Sequence, residues 1–334
     1  MLKRLFDIVR IARRGAMLAL PAALILALAP VGQAQAKWPE KPVKIVLPFG
    51  AGGVADVTVR IMADKLSQKF GERVVVENMP GPGGINAARA VITSPPDGYT
   101  MGLVTNGTAI SVVAFKHLPF DPIKQFEMVS TLGQFNLLFA VNATSKYKTL
   151  SDFIKDAKAH PGKLNIGTIT VGGTQNLGAE LFKSMTGIKA QIVPFRRSPD
   201  VVVGLLRNDV QMLIEFPPAI KGQVADKKLR VLASSGPHRE ASMPAVPTVQ
   251  EAGVKGYLVT SWNGVFAPKG TPKEAIDTMN KAMHEVLAMP EVKERFAKVG
   301  VVAQASTPEE VMDRLKADIK KWDVVYTKAG IPKK

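Results

Sequence analysis

The segment Pro48-Phe49-Gly50-Ala51-Gly52-Gly53-Val54-Ala55-Asp56 sits between a β-branched run and an apolar-striped helical stretch. Glycines at 50, 52 and 53 let the backbone turn tightly and aim several N–H groups at one point. The helix that follows adds partial positive charge at its start, so the loop suits a carboxylate or a phosphate. Phe49, Ala51, Gly52 and Gly53 are therefore candidate ligand residues, and Asp56 can steady the loop by accepting backbone N–H groups in the first helical turn. A plain strand-to-helix turn accounts for the same residues without a ligand. The stretch 50–55 also fits G-x-G-x-x-G/A, and Glu77 ends the next strand at roughly the 20-residue distance of a dinucleotide site, so a dinucleotide-dependent enzyme is the competing reading. Against it stand an export signal and the run Met79-Pro80-Gly81-Pro82-Gly83-Gly84 directly after Glu77.

Two further polar turns follow strands: Thr105-Asn106-Gly107-Thr108, and Gly172-Gly173-Thr174-Gln175-Asn176 ahead of a helix. Loops of this kind, with hydroxyls and amides but no strong acids or His, suit a receptor that binds by hydrogen bonds at the carboxyl ends of strands. Catalytic patterns are missing from the sequence. His117, His160, His238 and His284 stand alone, without H-E-x-x-H, G-x-S-x-G or clustered carboxylates. No Cys occurs, which excludes disulfides, thiolate metal sites and cysteine nucleophiles. No cofactor and no metal is expected.

The elements that must position these loops alternate strand and helix, the pattern of α/β architecture with mainly parallel sheets. Strands are predicted at 43–47, 74–76, 99–104 and 137–141. A helix after the first strand carries the stripe Val59, Met62, Leu66 and Phe70, and a short helix spans 84–92. A second series opens with a helix capped by Thr149 and Asp152 and ending before Pro161. It continues with strands at 164–167, 191–193, 210–214 and 230–233, separated by helices near 176–185, 199–206 and 217–224. Two closing helices each offer Thr as N-cap, then Pro, then Glu: Thr271-Pro272-Lys273-Glu274 and Thr307-Pro308-Glu309-Glu310, with Gly330 ending the last.

Residues 1–36 read as an export signal. Lys3, Arg4, Arg10, Arg13 and Arg14 precede an apolar run at 16–29, and Ala34-Gln35-Ala36 gives a small-x-small site, so cleavage is expected after Ala36 and the protein is expected in the periplasm. The chain of 334 residues carries 44 Lys and Arg against 28 Asp and Glu, a net +16. Its Lys residues are scattered, without the Arg blocks and interleaved aromatics of a nucleic-acid reader, so a field that draws in small anions is the better use of this charge.

Read together, these loops resemble the extracytoplasmic receptors of tripartite tricarboxylate transporters, also called Bug solute receptors. The matching pieces run in order along residues 37–334: Trp38-Pro39; Pro48-Phe49 with Gly52-Gly53, Asp56 and Arg60; Pro80-Gly81 with Gly83-Gly84; Pro96-Asp97-Gly98-Tyr99-Thr100; Leu118-Pro119-Phe120-Asp121-Pro122; the residues 178–182; the residues 244–249 with Glu251-Ala252-Gly253; and Ala267-Pro268 with Gly270-Thr271-Pro272.

The resemblance implies a two-domain clamshell of the periplasmic-binding-protein type, α/β in both halves. Residues 37–138 with 257–334 would form one domain and 139–256 the other. It implies a small carboxylate held in the cleft, without catalysis or cofactor, and this chain's own departures from the family favour a dicarboxylate or an aromatic carboxylate. The loop at 51–53 and the turn before the helix at Asn176 would hold one ligand carboxylate, partly through water. A monomer would then close on the ligand and deliver it to integral membrane permease subunits; a sensor that signals to another partner is the alternative. The sequence departs from the family at Pro194-Phe195-Arg196-Arg197-Ser198, where Arg197 replaces a usual Gly, at Asn176, where His is frequent, and at Glu215-Phe216. Arg197 could clamp the far carboxylate of an extended or aromatic ligand, or else lie in solvent or pair with Glu215. Phe49, Phe195, Phe216 and Trp262 are candidate apolar walls, with core packing as the other reading, and Glu215 could select a ligand bearing an amine.

Overall fold

The first strand, β1 (Val43–Leu47), is buried on both faces, as its VKIVL sequence requires. It feeds α1 (Val54–Phe70), whose Val59, Met62 and Leu66 stripe is fully buried, and Gly71 ends that helix in the left-handed region. This is a computed structural model that describes residues 38–169 and 173–333. The export signal and its cleavage point lie outside the described residues. Of Met1–Glu40, only 38–40 are described, with a cis Trp38–Pro39 bond. Lys41–Lys334 form one compact unit.

The chain continues through β2 (Val74–Asn78), a 3₁₀ turn at Pro82–Gly84, α2 (Ile85–Ile92), β3 (Thr100–Thr105), α3 (Asn106–Ala114), the single turn α4 (Pro122–Gln125) and the long β4 (Phe126–Asn136). Next come β5 (Leu138–Asn142), α5 (Leu150–Ala159), β6 (Asn165–Ile169), α6 (Thr174–Thr186), β7 (Gln191–Phe195), α7 (Ser198–Leu206), β8 (Met212–Glu215), α8 (Pro217–Ala225) and β9 (Leu229–Ser234). The last part holds β10 (Thr260–Pro268), α9 (Lys273–Ala288), α10 (Pro290–Lys298), β11 (Val302–Ala303) and α11 (Pro308–Lys328).

Two sheets result, ordered β11-β4-β10-β3-β1-β2 and β7-β6-β8-β5-β9. Each sheet with its helices is a lobe. The chain leaves the first at Leu137 and returns by β10, which pairs antiparallel with both β3 and β4. The α/β two-lobed class holds, but the sheets are mixed where mainly parallel ones were expected. Only β2-β1-β3 and β7-β6-β8 are parallel; β4, β10 and β11 in one sheet, and β5 with its neighbours in the other, run antiparallel. The reason lies in connectivity: the strands that carry the chain between lobes enter without a crossover helix.

The predicted capping boxes at Thr149/Asp152 and Thr307/Glu310 are present. The one at Thr271 is not. Its hydroxyl donates to the Pro268 carbonyl at 2.8 Å, and Pro272 becomes the N-cap of α9. Three closing helices stand where two were expected, since Pro290 starts α10 in its own right.

Candidate functional site

At the carboxyl end of β1, the loop 49–53 lies exposed, and a Cβ built on Gly50, Gly52 or Gly53 would meet no atom within 4 Å. Gly52 has φ +83°, which an L side chain would strain. Buried Asp56, in the first turn of α1, ties the loop down. Its Oδ2 accepts the Gly52 N–H at 2.8 Å, while Oδ1 accepts Arg60 Nε at 2.9 Å and Asn78 Nδ2 at 3.0 Å. Asn78 Nδ2 also reaches the Phe49 carbonyl, and Arg60 donates to Asn78 Oδ1. Burial pushes the Asp56 carboxyl up, but its donors Arg60, Gly52 and Asn78 outweigh that and hold it below the usual carboxylate range.

The second expected turn is the start of a helix. Thr105 and Thr108 form a reciprocal capping box on α3, at 3.3 and 3.1 Å. Asn106 is fully buried; its Nδ2 donates to Thr174 Oγ1 at 2.9 Å and its Oδ1 accepts the Trp322 indole N–H at 2.7 Å. Thr174 opens α6 in the other lobe, so this pair joins two of the predicted binding turns. Gly173 is the N-cap of α6, and Asn176 donates to Thr168 Oγ1 at 3.5 Å.

Glu215, 1% exposed, gathers three helix starts. Its Oε1 accepts Gln175 Nε2 at 2.8 Å and the Phe216 N–H at 2.7 Å, and its Oε2 accepts Ser198 Oγ at 2.7 Å. These residues begin α6, α8 and α7. Burial pushes the Glu215 carboxyl up, and the three donors offset this only in part. The expected alternative partner of Arg197 is thus corrected. Glu215 does not pair with it; Arg197 is exposed and forms a two-toothed contact with Asp200, Nε to Oδ2 at 3.1 Å and Nη2 to Oδ1 at 2.9 Å. Its neighbour Arg196 is exposed.

The aromatic candidates separate. Phe49 is exposed. Phe195 is half-buried and packs so closely on Gly204 that a Cβ there would come within 2.7 Å of its ring. Phe216 meets Phe135 of the first lobe edge-on, ring centres 4.9 Å apart. Trp262 is fully buried, donates to Asp318 Oδ2 at 2.6 Å and lies under the Arg314 guanidinium, so it belongs to the core. Sequence reasoning passed over Asn78 and Trp322, which complete the contacts of Asp56 and Asn106. Their partners lie 22 and 216 positions away, beyond any local spacing.

A cavity of about 390 Å³ lies elsewhere, lined by the last turns of α6 and α11, including Leu181, Met185 and Val324. Among the described residues no group of three His, Cys, Asp or Glu could hold a metal, and no helix is long and apolar enough to cross a membrane.

The dinucleotide reading is overturned by what the chain resembles. Glu77, its expected ribose ligand, faces Lys44 at 3.0 Å. Residues 58–331 match the model of the tripartite tricarboxylate transporter family receptor. Protein BugT of Bordetella pertussis is 32% identical over 296 residues, covering 88% of this chain and 90% of its own. Among solved structures, R. palustris Rpa4515 with adipate has a TM-score of 0.78 at 31% identity, covering 88% of this chain and 99% of that one. MatC (Rpa3494) from Rhodopseudomonas palustris with bound malate has a TM-score of 0.73 at 27% identity, covering 86% and 99%. Family and neighbours are binding receptors and not enzymes, and their two-lobed α/β fold is the one described above. The chain belongs to the tripartite tricarboxylate transporter receptor family.

Proposed function

We propose that this chain is a periplasmic receptor that captures a small carboxylate, a dicarboxylate or an aromatic carboxylate, between its lobes and delivers it as a monomer to integral membrane permease subunits. Residues 37–138 with 257–334 would move as one domain and 139–256 as the other. One observation carries the reading. The helices that start at the carboxyl ends of β1, β6, β7 and β8 have N-caps Gly53, Gly173, Arg197 and Phe216, and none of these caps its helix with its side chain. In α8 the first two residues, Pro217 and Pro218, have no N–H and the Ala219 N–H goes to the Phe216 carbonyl, and in α7 the Asp200 N–H goes to the Arg197 carbonyl. The glycine-capped α1 and α6 are therefore the two whose first-turn N–H groups and partial positive charge suit a carboxylate. Adipate and malate in two structures of the family add support for a dicarboxylate.

In this reading Phe49, Ala51, Gly52, Gly53, Thr105, Thr108, Gly173, Thr174 and Asn176 hold one carboxylate, and Arg197 exchanges Asp200 for the other. Phe195 and Phe216 remain as walls. The three donors already on Glu215 favour a positioning role for it over recognition of an amine.

The test is a thermal-shift screen of the chain from Lys37 against mono-, di- and tricarboxylates, aromatic acids, amino acids and NAD. A ligand at one hundred times its dissociation constant stabilises by about 2.7 kcal/mol. A shift confined to one class of carboxylate is expected; shifts with amino acids or NAD alone would overturn the reading.

A further inference from the structure

A buried hydrogen-bond relay runs from the C-terminal helix to the start of α6. Trp322, fully buried, can only donate, and its indole N–H goes to Asn106 Oδ1 at 2.7 Å. With the amide oxygen taken, the Asn106 NH₂ must face the other way, and it donates to Thr174 Oγ1 at 2.9 Å. Asn106 is itself fully buried and Thr174 nearly so. A hydroxyl that has accepted this bond still has its own O–H to give. The relay therefore has a direction, fixed at its far end by a group that cannot reverse. It also crosses between lobes, because α11 packs on α3 and β4 of the first lobe and reaches α6 of the second.

We infer that Trp322 and Asn106 are positioning residues for the ligand: they hold Thr174 across the lobes and turn its hydroxyl hydrogen toward a bound carboxylate. The inference rests on the carboxylate reading above. It adds a preference, since the relay leaves Thr174 an O–H to give to a ligand oxygen, whereas a ligand donor such as an ammonium would have to share the oxygen that already accepts from Asn106 and would leave that O–H unused. Buried networks of this kind are costly when one member is left unmatched, so the polarity is enforced.

The experiment is a double-mutant cycle read by calorimetric titration with adipate and with malate, using Trp322→Phe, Thr174→Val and the two combined. Each single change is expected to weaken binding about tenfold, equivalent to 1.4 kcal/mol. The combined variant should bind no more weakly than Thr174→Val alone, because Trp322 acts through Thr174. Thr174→Ser, which keeps the hydroxyl, should stay within about twofold of the unchanged chain on the same scale. A merely structural role would shift unfolding midpoints without this coupling. Losses that multiply in the combined variant, or a Thr174→Val that binds normally, would overturn the inference. Should Trp322→Phe fail to fold, Asn106→Asp serves in its place: it offers Thr174 an acceptor, turns the hydroxyl inward and is expected to lower affinity for both acids, while undiminished affinity sinks the relay. If the unchanged chain binds neither adipate nor malate but binds another carboxylate of the screen, the cycle is run with that acid; if only amino acids or NAD bind, the carboxylate reading itself fails and the relay falls with it.

Discussion

Asp56 accepts the backbone N–H of Gly52, four residues before it, at 2.8 Å. The residue that helps start the helix thus also sets the shape of the loop leading into it, and the three exposed glycines of that loop keep a single arrangement without a side chain of their own. Replacing Asp56 by Ala leaves Gly52, Arg60 and Asn78 without their shared acceptor. A stability loss of about 1–3 kcal/mol is expected in denaturant unfolding, together with weaker carboxylate binding. The carboxyl is held below its ordinary value, so its contribution is present above about pH 4 and is lost as pH falls through that lowered pKa. In Asp56→Asn the acid limb of the stability profile should flatten; an unchanged limb would show that the loop is held by other contacts.

Glu215 has the opposite sign. Its carboxyl is raised by burial, so the folded state keeps the proton longer than the unfolded chain. Its contribution to stability falls as pH rises from about 4.3, the unfolded value, through the raised folded pKa. Glu215→Gln should remove this slope while keeping one acceptor for Gln175, Ser198 and the Phe216 N–H. The check is the difference in unfolding free energy between the two proteins across pH 4 to 8; parallel curves would show that the folded and unfolded chains bind the Glu215 proton equally.

Arg197→Ala should leave stability almost unchanged, because the Asp200 pair is exposed and screened by solvent. Its effect belongs to binding. Affinity for dicarboxylates should fall while that for matched monocarboxylates stays, as measured by titration calorimetry. Equal affinities for every carboxylate would remove Arg197 from the site.

Gly300 has φ +68°, and a Cβ there would come within 2.7 Å of Pro217 at the start of α8. Nearby, Lys221 of α8 donates to the Lys298 carbonyl at 2.9 Å. Gly300→Ala should therefore press the lobes apart where they touch and lower stability by about 1–2 kcal/mol from the backbone strain alone. Small-angle scattering should show a larger radius of gyration; an unchanged radius with normal stability would mean the contact yields freely.

Much of the architecture was legible because local rules decided it. β1, α1 and the caps at Thr149 and Thr307 follow from burial period and end chemistry that need no distant partner. The cap at Thr271 failed because the Pro268 carbonyl competes for the same hydroxyl. β4 and β10 were overlooked: both are buried along nearly their whole length and carry Ser130, Thr131, Ser261 and Asn263 inside, so neither alternation nor an unbroken apolar run marks them. α3 begins with Thr105-Asn106-Gly107-Thr108, which reads as a turn until Thr108 is seen to close the box in place of Glu. In the candidate site, the holding role of Asp56 could be read from its place in a first helical turn. The partners of Asn106, Glu215 and Trp262 could not, since each is fixed by a residue from another element.

The placement of β10 has a consequence for how the protein comes to be folded. This strand fills the gap between β3 and β4, yet it is made after every strand of the second sheet, which draws on one continuous stretch, 138–234. A chain emerging from its N-terminus can complete the second sheet first, while β1, β2 and β3 wait with one edge open until residue 268 has arrived. Open edges of buried strands invite pairing with other chains, so the interval between those two events is when the first sheet is exposed to mispairing.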